Sequence, residues 1–205
     1  MNGIRRYNSR QLEIDGVLGK YLLGGATGLV AAAVTGELFQ FRWPDNLRIC
    51  AVRKIIVTAA ASTLFGAAPA TPLTFDIVKA TAWTVQGTGG TVLDTTTGTG
   101  RKRTQMPVSL LTAGDCRIAT TAALGAGTKT LDSQALATVV GIPVNGSNTM
   151  CVMDPTEIVK MEDAELDYPI VLAGNEGFVL RLTSNPGTGT LFVSVAVDWV
   201  ETNAS

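Results

Sequence analysis

The sequence predicts an all-β protein, an antiparallel β-sandwich with jelly-roll-like topology and an extended N-terminal arm. Threonine and glycine together make up 49 of the 205 residues, as 27 threonines and 22 glycines. Threonine suits strands, glycine suits tight turns, and both are unfavourable inside helices. Apolar side chains also recur at every second position in several segments, which is the period of a half-buried strand. We predict an arm over residues 1–36 and one sandwich domain over residues 37–205.

The predicted arm has no helical or strand period. It begins with polar and charged residues and continues into a glycine-diluted apolar run, Leu22–Val34. A run of 13 residues is too short to span a bilayer, and Glu13 and Asp15 precede it where a signal peptide would be positively charged. We therefore expect no membrane segment and no signal peptide. An arm of this kind is expected to become ordered on a neighbouring subunit.

The first strands of the predicted sandwich are the clearest. Leu38–Trp43 alternates apolar and polar side chains and stops at Pro44. Ile49–Thr58 is more evenly apolar, which indicates a central strand. Leu73–Val85 is long enough for a large sheet, and its alternation places five apolar side chains on one face: Leu73, Phe75, Ile77, Trp83 and Val85.

The middle of the chain is richer in turns. Residues 86–105 form a glycine- and threonine-rich excursion that ends in the basic tip Arg101–Arg103. Four short segments then predict brief strands: Ser109–Leu111, Arg117–Thr121, Thr138–Ile142 and Met150–Met153.

The C-terminal part predicts three further strands. These are Tyr168–Leu172, Phe178–Leu182 and Leu191–Glu201, and the last alternates Leu, Val, Val, Val and Trp on one face. The preceding segment, Asp154–Leu166, is acidic and lacks the apolar stripe of a helix. It predicts a solvated or partner-facing acidic loop, with calcium binding as the less favoured alternative because the spacing of known calcium loops is missing.

Composition excludes several kinds of chemistry. The chain has no histidine, so histidine-based catalysis, imidazole metal ligands and histidine pH switches are ruled out. The net charge of −1 argues against direct binding of nucleic acid. The cysteines, Cys50, Cys116 and Cys151, are widely spaced and odd in number, which indicates buried thiols in a reducing cytosol. We predict that the protein is not an enzyme and has no catalytic residue, metal or cofactor.

Only 16% of the residues are charged, which is low for a globular domain. Partner subunits that cover part of the surface would account for this scarcity, so we expect a homo-oligomer, with a trimer favoured. The candidate partner contacts are basic or apolar residues of the arm and the basic loop tip: Arg5, Arg6, Arg10, Leu22, Leu23, Arg101, Lys102 and Arg103.

Three stretches resemble a family of structural proteins from the virions of tailed bacteriophages. They are Glu37–Trp43, Ala119–Asp132 and the ending formed by Pro169–Val179 with Val197–Glu201. The resemblance covers most of residues 37–201, and its strings mark a fold rather than a catalytic site. It therefore implies a structural role in the virion.

Within that family, the resemblance favours a capsid decoration or cement protein that stabilises the head through contacts of its arm and loop with neighbouring subunits. The expected partner is the major capsid protein or another virion protein, with assembly in the bacterial cytoplasm. The alternative is a tail or head-fibre component, including a carbohydrate-binding jelly roll. Such a binding site would need exposed aromatic side chains with convergent polar groups or bound calcium.

Overall fold

A computed structural model describes residues 17–31, 35–63, 72–141, 156–160, 169–184 and 189–203. Within these ranges the chain forms strands, turns and irregular segments, and no helix. The strands are β1 (Val17–Ala26), β2 (Val30–Ala31), β3 (Gly36–Trp43), β4 (Arg48–Thr63), β5 (Leu73–Val85), β6 (Thr91–Val92), β7 (Cys116–Ile118), β8 (Thr128–Leu131), β9 (Ala137–Gly141), β10 (Thr156–Lys160), β11 (Ile170–Leu172), β12 (Glu176–Ser184) and β13 (Thr190–Asn203).

The strands form two antiparallel sheets that pack against each other, which confirms the predicted β-sandwich. Sheet A has the order β1-β13-β4-β10, with β11 beside β4 and β2 beside β13. Sheet B has the order β6-β7-β3-β12-β5-β8, with β9 beside β5. The jelly-roll topology stays a prediction.

The long central strands of sheet A follow the predicted alternation. β13 directs Leu191, Val193, Val195, Val197 and Trp199 into the space between the sheets, where all are buried. It pairs along its whole length with β4, which is central as predicted and extends beyond the predicted segment. The pairing of these two long apolar strands, which shifts register between Thr190 and Leu191 and between Asp198 and Trp199, gives the sandwich a continuous inner wall.

Aromatic side chains from both sheets fill the core. Phe41 of β3 stacks on Phe178 of β12 with ring centroids 5.2 Å apart, and its ring meets Trp199 edge-on at 5.3 Å. Tyr21 of β1 stacks on Trp199 at 5.3 Å. Trp43 and Trp199, which stand at the ends of predicted apolar strand faces, are both fully buried in this core.

The predicted face of β5 is correct at its start and wrong at its end. Leu73, Phe75 and Ile77 lie in the main core. Ala82 has φ 49°, and beyond this irregularity Trp83 lies in a second apolar cluster with Val78, Ala80 and Val179, while Val85 is exposed. When one residue interrupts the in–out alternation of a strand, all later side chains move to the opposite face. The alternation of apolar residues in the sequence does not reveal such an interruption.

The extended-arm prediction is wrong for residues 17–31. β1 pairs with β13 from Val17 to Ala26, and β2 adds to the far end of the same strand. Tyr21 and Leu23 point into the core, while Leu22, Gly24 and Ala26 point outward. The strand period was hidden because the outward side chains, apart from Lys20, are apolar or small instead of polar. Residues 1–16 lie outside the described part of the chain.

Several brief strands also differ from the prediction. Ser109–Leu111 is irregular, β7 is shorter than Arg117–Thr121, and β9 confirms the strand expected near Thr138. The acidic segment expected to be a loop contains β10, which pairs with β4. Met150–Met153 lies outside the described residues, and β6 and β8 were not predicted.

Candidate functional site: the edge of β1 and two buried polar clusters

Residues 98–110, here called the strap, lie along the outer edge of β1. The Leu22 amide donates to the Gly100 carbonyl at 2.8 Å, and the Lys102 amide donates to the Lys20 carbonyl at 3.1 Å. The Tyr21 hydroxyl donates to the Pro107 carbonyl at 3.1 Å. The predicted glycine-rich excursion therefore folds back on its own sheet and satisfies backbone groups that an edge strand would otherwise leave open.

Glycine permits the close approach of strap and strand. Gly100 has φ 81°, and a Cβ atom there would lie 3.0 Å from the Leu22 carbonyl oxygen. Only glycine adopts this conformation without strain, and only glycine leaves the space. The run Thr95–Gly100, which sequence composition marked only as flexible, is thus shaped to meet the strand.

The three basic residues of the strap have different surroundings. The Arg101 guanidinium donates to the carbonyls of Gly98, Thr104 and Met106, each at 2.9 Å, so this side chain holds the strap together. Lys102 forms an ion pair with Asp198 of β13. Arg103 is exposed. Of the predicted contacts in the tip, Arg101 is thus a structural residue, and Lys102 has a partner within the same chain.

The arm residues that were predicted to contact a partner also differ in their surroundings. Leu22 is 49% exposed on the outer face of sheet A and remains available to a partner. Leu23 is buried in the core, so the prediction of a partner contact is wrong for this residue. Arg5, Arg6 and Arg10 lie outside the described residues.

A buried carboxylate, Glu201, anchors the C-terminal end of the strap. Ser109 Oγ donates to Glu201 Oε1 at 2.5 Å, the Leu110 amide donates to Oε2 at 3.2 Å, and Trp199 Nε1 donates to Oε1 at 3.2 Å. These donors occupy both carboxylate oxygens inside the sandwich, as a buried polar group requires. The residue was missed because alternation along β13 indicated only its apolar neighbours.

Burial dominates the electrostatics of this cluster. It raises the pKa of Glu201, against the opposing effects of its hydrogen bonds and of Arg48. Burial, followed by the nearby Glu201 charge, also raises the pKa values of the Tyr21 hydroxyl and the Cys50 thiol. The cluster therefore disfavours negative charge on each of its three acidic groups.

The outer face of sheet B carries a second polar cluster, built around Arg42 of β3. Its guanidinium contacts Asp115 Oδ1 at 3.0 Å, the Trp83 carbonyl at 2.9 Å and Asn175 Oδ1 at 3.2 Å. Asp115, whose side chain is fully buried, also accepts hydrogen bonds from the Thr112 amide and hydroxyl and from Gln86 Nε2. One cation thus joins the loops of Asp115 and Asn175 to β3 and to the end of β5.

A second ion pair continues this cluster. Lys129 Nζ lies 2.8 Å from Glu37 Oε2 and 4.4 Å from the centroid of the Trp83 ring. Gln40 Nε2 donates to the same Glu37 oxygen at 2.5 Å and to the Gly125 carbonyl at 3.0 Å. The polar face predicted for β3 is therefore present but covered by its own loops.

The outer face of sheet A is different, because small and apolar side chains lie in its middle, exposed on β1 and half-buried on β4. Leu22, Gly24 and Ala26 of β1 lie beside Asp198, Ala196 and Ser194 of β13, which in turn lie beside Lys54, Ile56 and Thr58 of β4. Phe192 is also exposed on this face. Its uncharged middle makes it suitable for contact with another protein.

Cys50 and Cys116 are buried free thiols, as predicted, and Cys151 lies outside the described residues. Over the described ranges no group of three or more acidic or cysteine side chains could hold a metal ion. No helix there is long and apolar enough to cross a membrane. Comparison of the chain with protein-family models, curated proteins and solved structures found no match.

Proposed function

We propose that the chain is a structural protein of a tailed-bacteriophage virion, a capsid decoration or cement protein that contacts its neighbours through the outer face of sheet A. The observation that carries this proposal is the uncharged middle of that face, where Gly24, Ala196 and Ile56 lie side by side on three adjacent strands. The resemblance of the three sequence stretches to phage virion proteins supports the same role.

The contrast between the two outer faces supports the choice of surface. In the middle of the outer face of sheet B, polar side chains are paired within the chain, as in the Arg42–Asp115 and Lys129–Glu37 ion pairs, and the exposed apolar residues of this sheet lie at the end of β5 (Val85) and on β9 (Val140). On sheet A, Leu22 and Phe192 are exposed beside the uncharged middle of the face. Burying such side chains against a partner removes apolar surface from water, at roughly 25 cal/mol per Å². The partner would be the major capsid protein or another virion protein, and residues 1–16, with Arg5, Arg6 and Arg10, would extend the contact.

A matched pair of variants tests this proposal. Ser194→Lys places a charge in the middle of the sheet A face, and Thr84→Lys makes the same change at an exposed position of β5 in sheet B. Each variant is added to capsids from the encoding phage that lack the protein, and the bound copies per capsid are counted by quantitative electrophoresis. We expect Ser194→Lys to weaken binding at least tenfold, and Thr84→Lys to bind like the wild type.

Equal binding by the two variants would reject the sheet A face as the contact. Absence of the chain from purified virions, measured by mass spectrometry, would reject the virion role itself. The fibre alternative predicts a different result, namely calorimetric binding of cell-surface glycans or calcium by the isolated protein, which a cement protein does not require.

A further inference from the structure

Among the residues that the structure describes, β1 is the last strand on one side of sheet A, and the strap occupies part of its outer edge. The outward-facing backbone groups of Lys20 and Leu22 are paired with Lys102 and Gly100, and not with a further strand. Edge strands with open backbone groups pair readily with other chains. The strap therefore stands where the next strand of the sheet would lie.

The outer part of the strap is attached lightly. Lys102, Arg103, Thr104, Gln105 and Pro107 are all exposed. The attachment to the sheet consists of two backbone hydrogen bonds, the bond of the Lys20 amide to Met106 Sδ at 3.4 Å, the Tyr21 hydroxyl bond and the ion pair of Lys102 with Asp198. Hydrogen bonds at a sheet edge open at lower free energy than those of a core strand, and an ion pair of an exposed lysine contributes roughly 1 kcal/mol or less.

We propose that the strap covers the β1 edge reversibly. When the strap is released, the exposed edge pairs antiparallel with β1 of a second copy, so that sheet A continues across a twofold axis. This inference goes beyond the proposed virion role and does not depend on it. When identical strands pair about a twofold axis, the same edge of each copy forms the contact, so the protein needs no second binding surface.

The sequence of β1 is compatible with this self-pairing. If the axis passes at Leu22, then Leu22 faces its own copy as a hydrogen-bonded pair, and Lys20 faces Gly24. Lys20 is the sole charged residue of β1, so no like charges meet across the axis. The Leu22 amide already points outward toward the strap, which is the direction this pairing requires.

Gly100→Ala in the full chain opens the strap. The new Cβ would lie 3.0 Å from the Leu22 carbonyl oxygen at a residue with φ 81°. Gly89→Ala is the matched control, because Gly89 has φ 77° but no atom within 4 Å of an added Cβ. Hydrogen exchange of the Leu22 and Lys102 amides reports release of the strap, and analytical ultracentrifugation reports self-association.

We expect Gly100→Ala to accelerate exchange at both amides at least tenfold while β12 stays protected, and to form a dimer in which the Leu22 amide is protected again at high concentration. Gly89→Ala should behave like the wild type. A Gly100→Ala protein that stays monomeric, or a dimer that leaves the Leu22 amide unprotected, would overturn the proposal. If Gly100→Ala does not fold, Lys102→Ala, which removes only the ion pair with Asp198, is subject to the same criteria.

Discussion

Sheet A and sheet B both bury carboxylates, but they stabilise them differently. Asp115 and Glu37, on the outer face of sheet B, each lie within 3.0 Å of a cation, Arg42 and Lys129. Glu201, on the inner face of sheet A, is held by a hydroxyl, an amide and an indole N–H. Neutral donors satisfy the oxygens but do not neutralise the charge, which is why burial raises the pKa of Glu201.

The two polar clusters also hold different parts of the protein together. Arg42 attaches covering loops to the polar face of sheet B, and Lys129 of β8 forms an ion pair with Glu37 of β3 on the same face. Glu201 anchors the strap that covers the edge of β1. Substitutions that remove a cation should therefore cost more stability than a substitution that removes the charge of Glu201.

The largest effect is expected for Arg42→Met. This change leaves the fully buried Asp115 carboxylate without its cation and removes the bonds to the Trp83 carbonyl and Asn175. Breaking one side of a buried pair costs about 3–5 kcal/mol, which urea denaturation would measure as a lower midpoint. Asp115→Asn and the double variant complete a cycle, in which the double loss should be smaller than the sum of the single losses. A loss below about 1 kcal/mol for Arg42→Met would contradict the assigned role of the pair.

A smaller effect is expected for Glu201→Gln, and it depends on pH. The pKa of Glu201 is raised above its ordinary value of 4.5 in the folded protein, so the folded state binds the proton more tightly. Wild-type stability should therefore fall as pH rises from about 4.5 through the raised pKa, and remain lower above it. The variant lacks this contribution and should differ from the wild type by about 1 kcal/mol or less at neutral pH.

Denaturation of Glu201→Gln at a series of pH values tests this contribution. Asp132→Asn, which changes an exposed carboxylate, serves as the control and should keep the wild-type profile. If the stability of the wild type relative to Glu201→Gln rises over the same pH range, Glu201 is stabilised as a carboxylate and the comparison between the sheets is wrong.

The smallest perturbation uses two buried thiols of the main core as probes, one next in position to each polar cluster. Cys50 lies opposite Glu201 in the register of β4 and β13, and Cys116 follows Asp115 directly. Burial raises the pKa of both thiols. In variants that keep one cysteine each, a thiol reagent at pH 8 should react at least about a thousandfold more slowly with the native than with the unfolded protein. Ser109→Ala should accelerate labelling of Cys50 and leave Cys116 unchanged; equal acceleration of both would show that the clusters do not open independently.

Strand alternation predicted much of the sandwich. β3, β4, β5 and β13 were found because one buried face and one more polar face give a period of two. β1 was missed because its outward side chains, apart from Lys20, are also apolar or small. The end of β5 was assigned to the wrong face because the backbone at Ala82, with φ 49°, interrupts the regular alternation of side chains between the two faces.

The candidate sites depended more strongly on tertiary structure. The basic tip was predicted as a surface feature, but its folding onto β1 requires the approach of Gly100 to Leu22, two residues 78 positions apart in the sequence. Glu201 and Ser109 meet across 92 positions. Such contacts depend on strand order and register, which local patterns do not encode.

Composition and the period of two are sufficient to specify the all-β class, the apolar inner faces of the long strands and the chemistry that the absence of histidine excludes. Strand order and register, in contrast, set which polar groups are buried together, which sheet edge is covered and which sheet face remains open. Composition and period act along the chain, whereas charge pairing, hydrogen bonding and burial depend on which strands become neighbours in space.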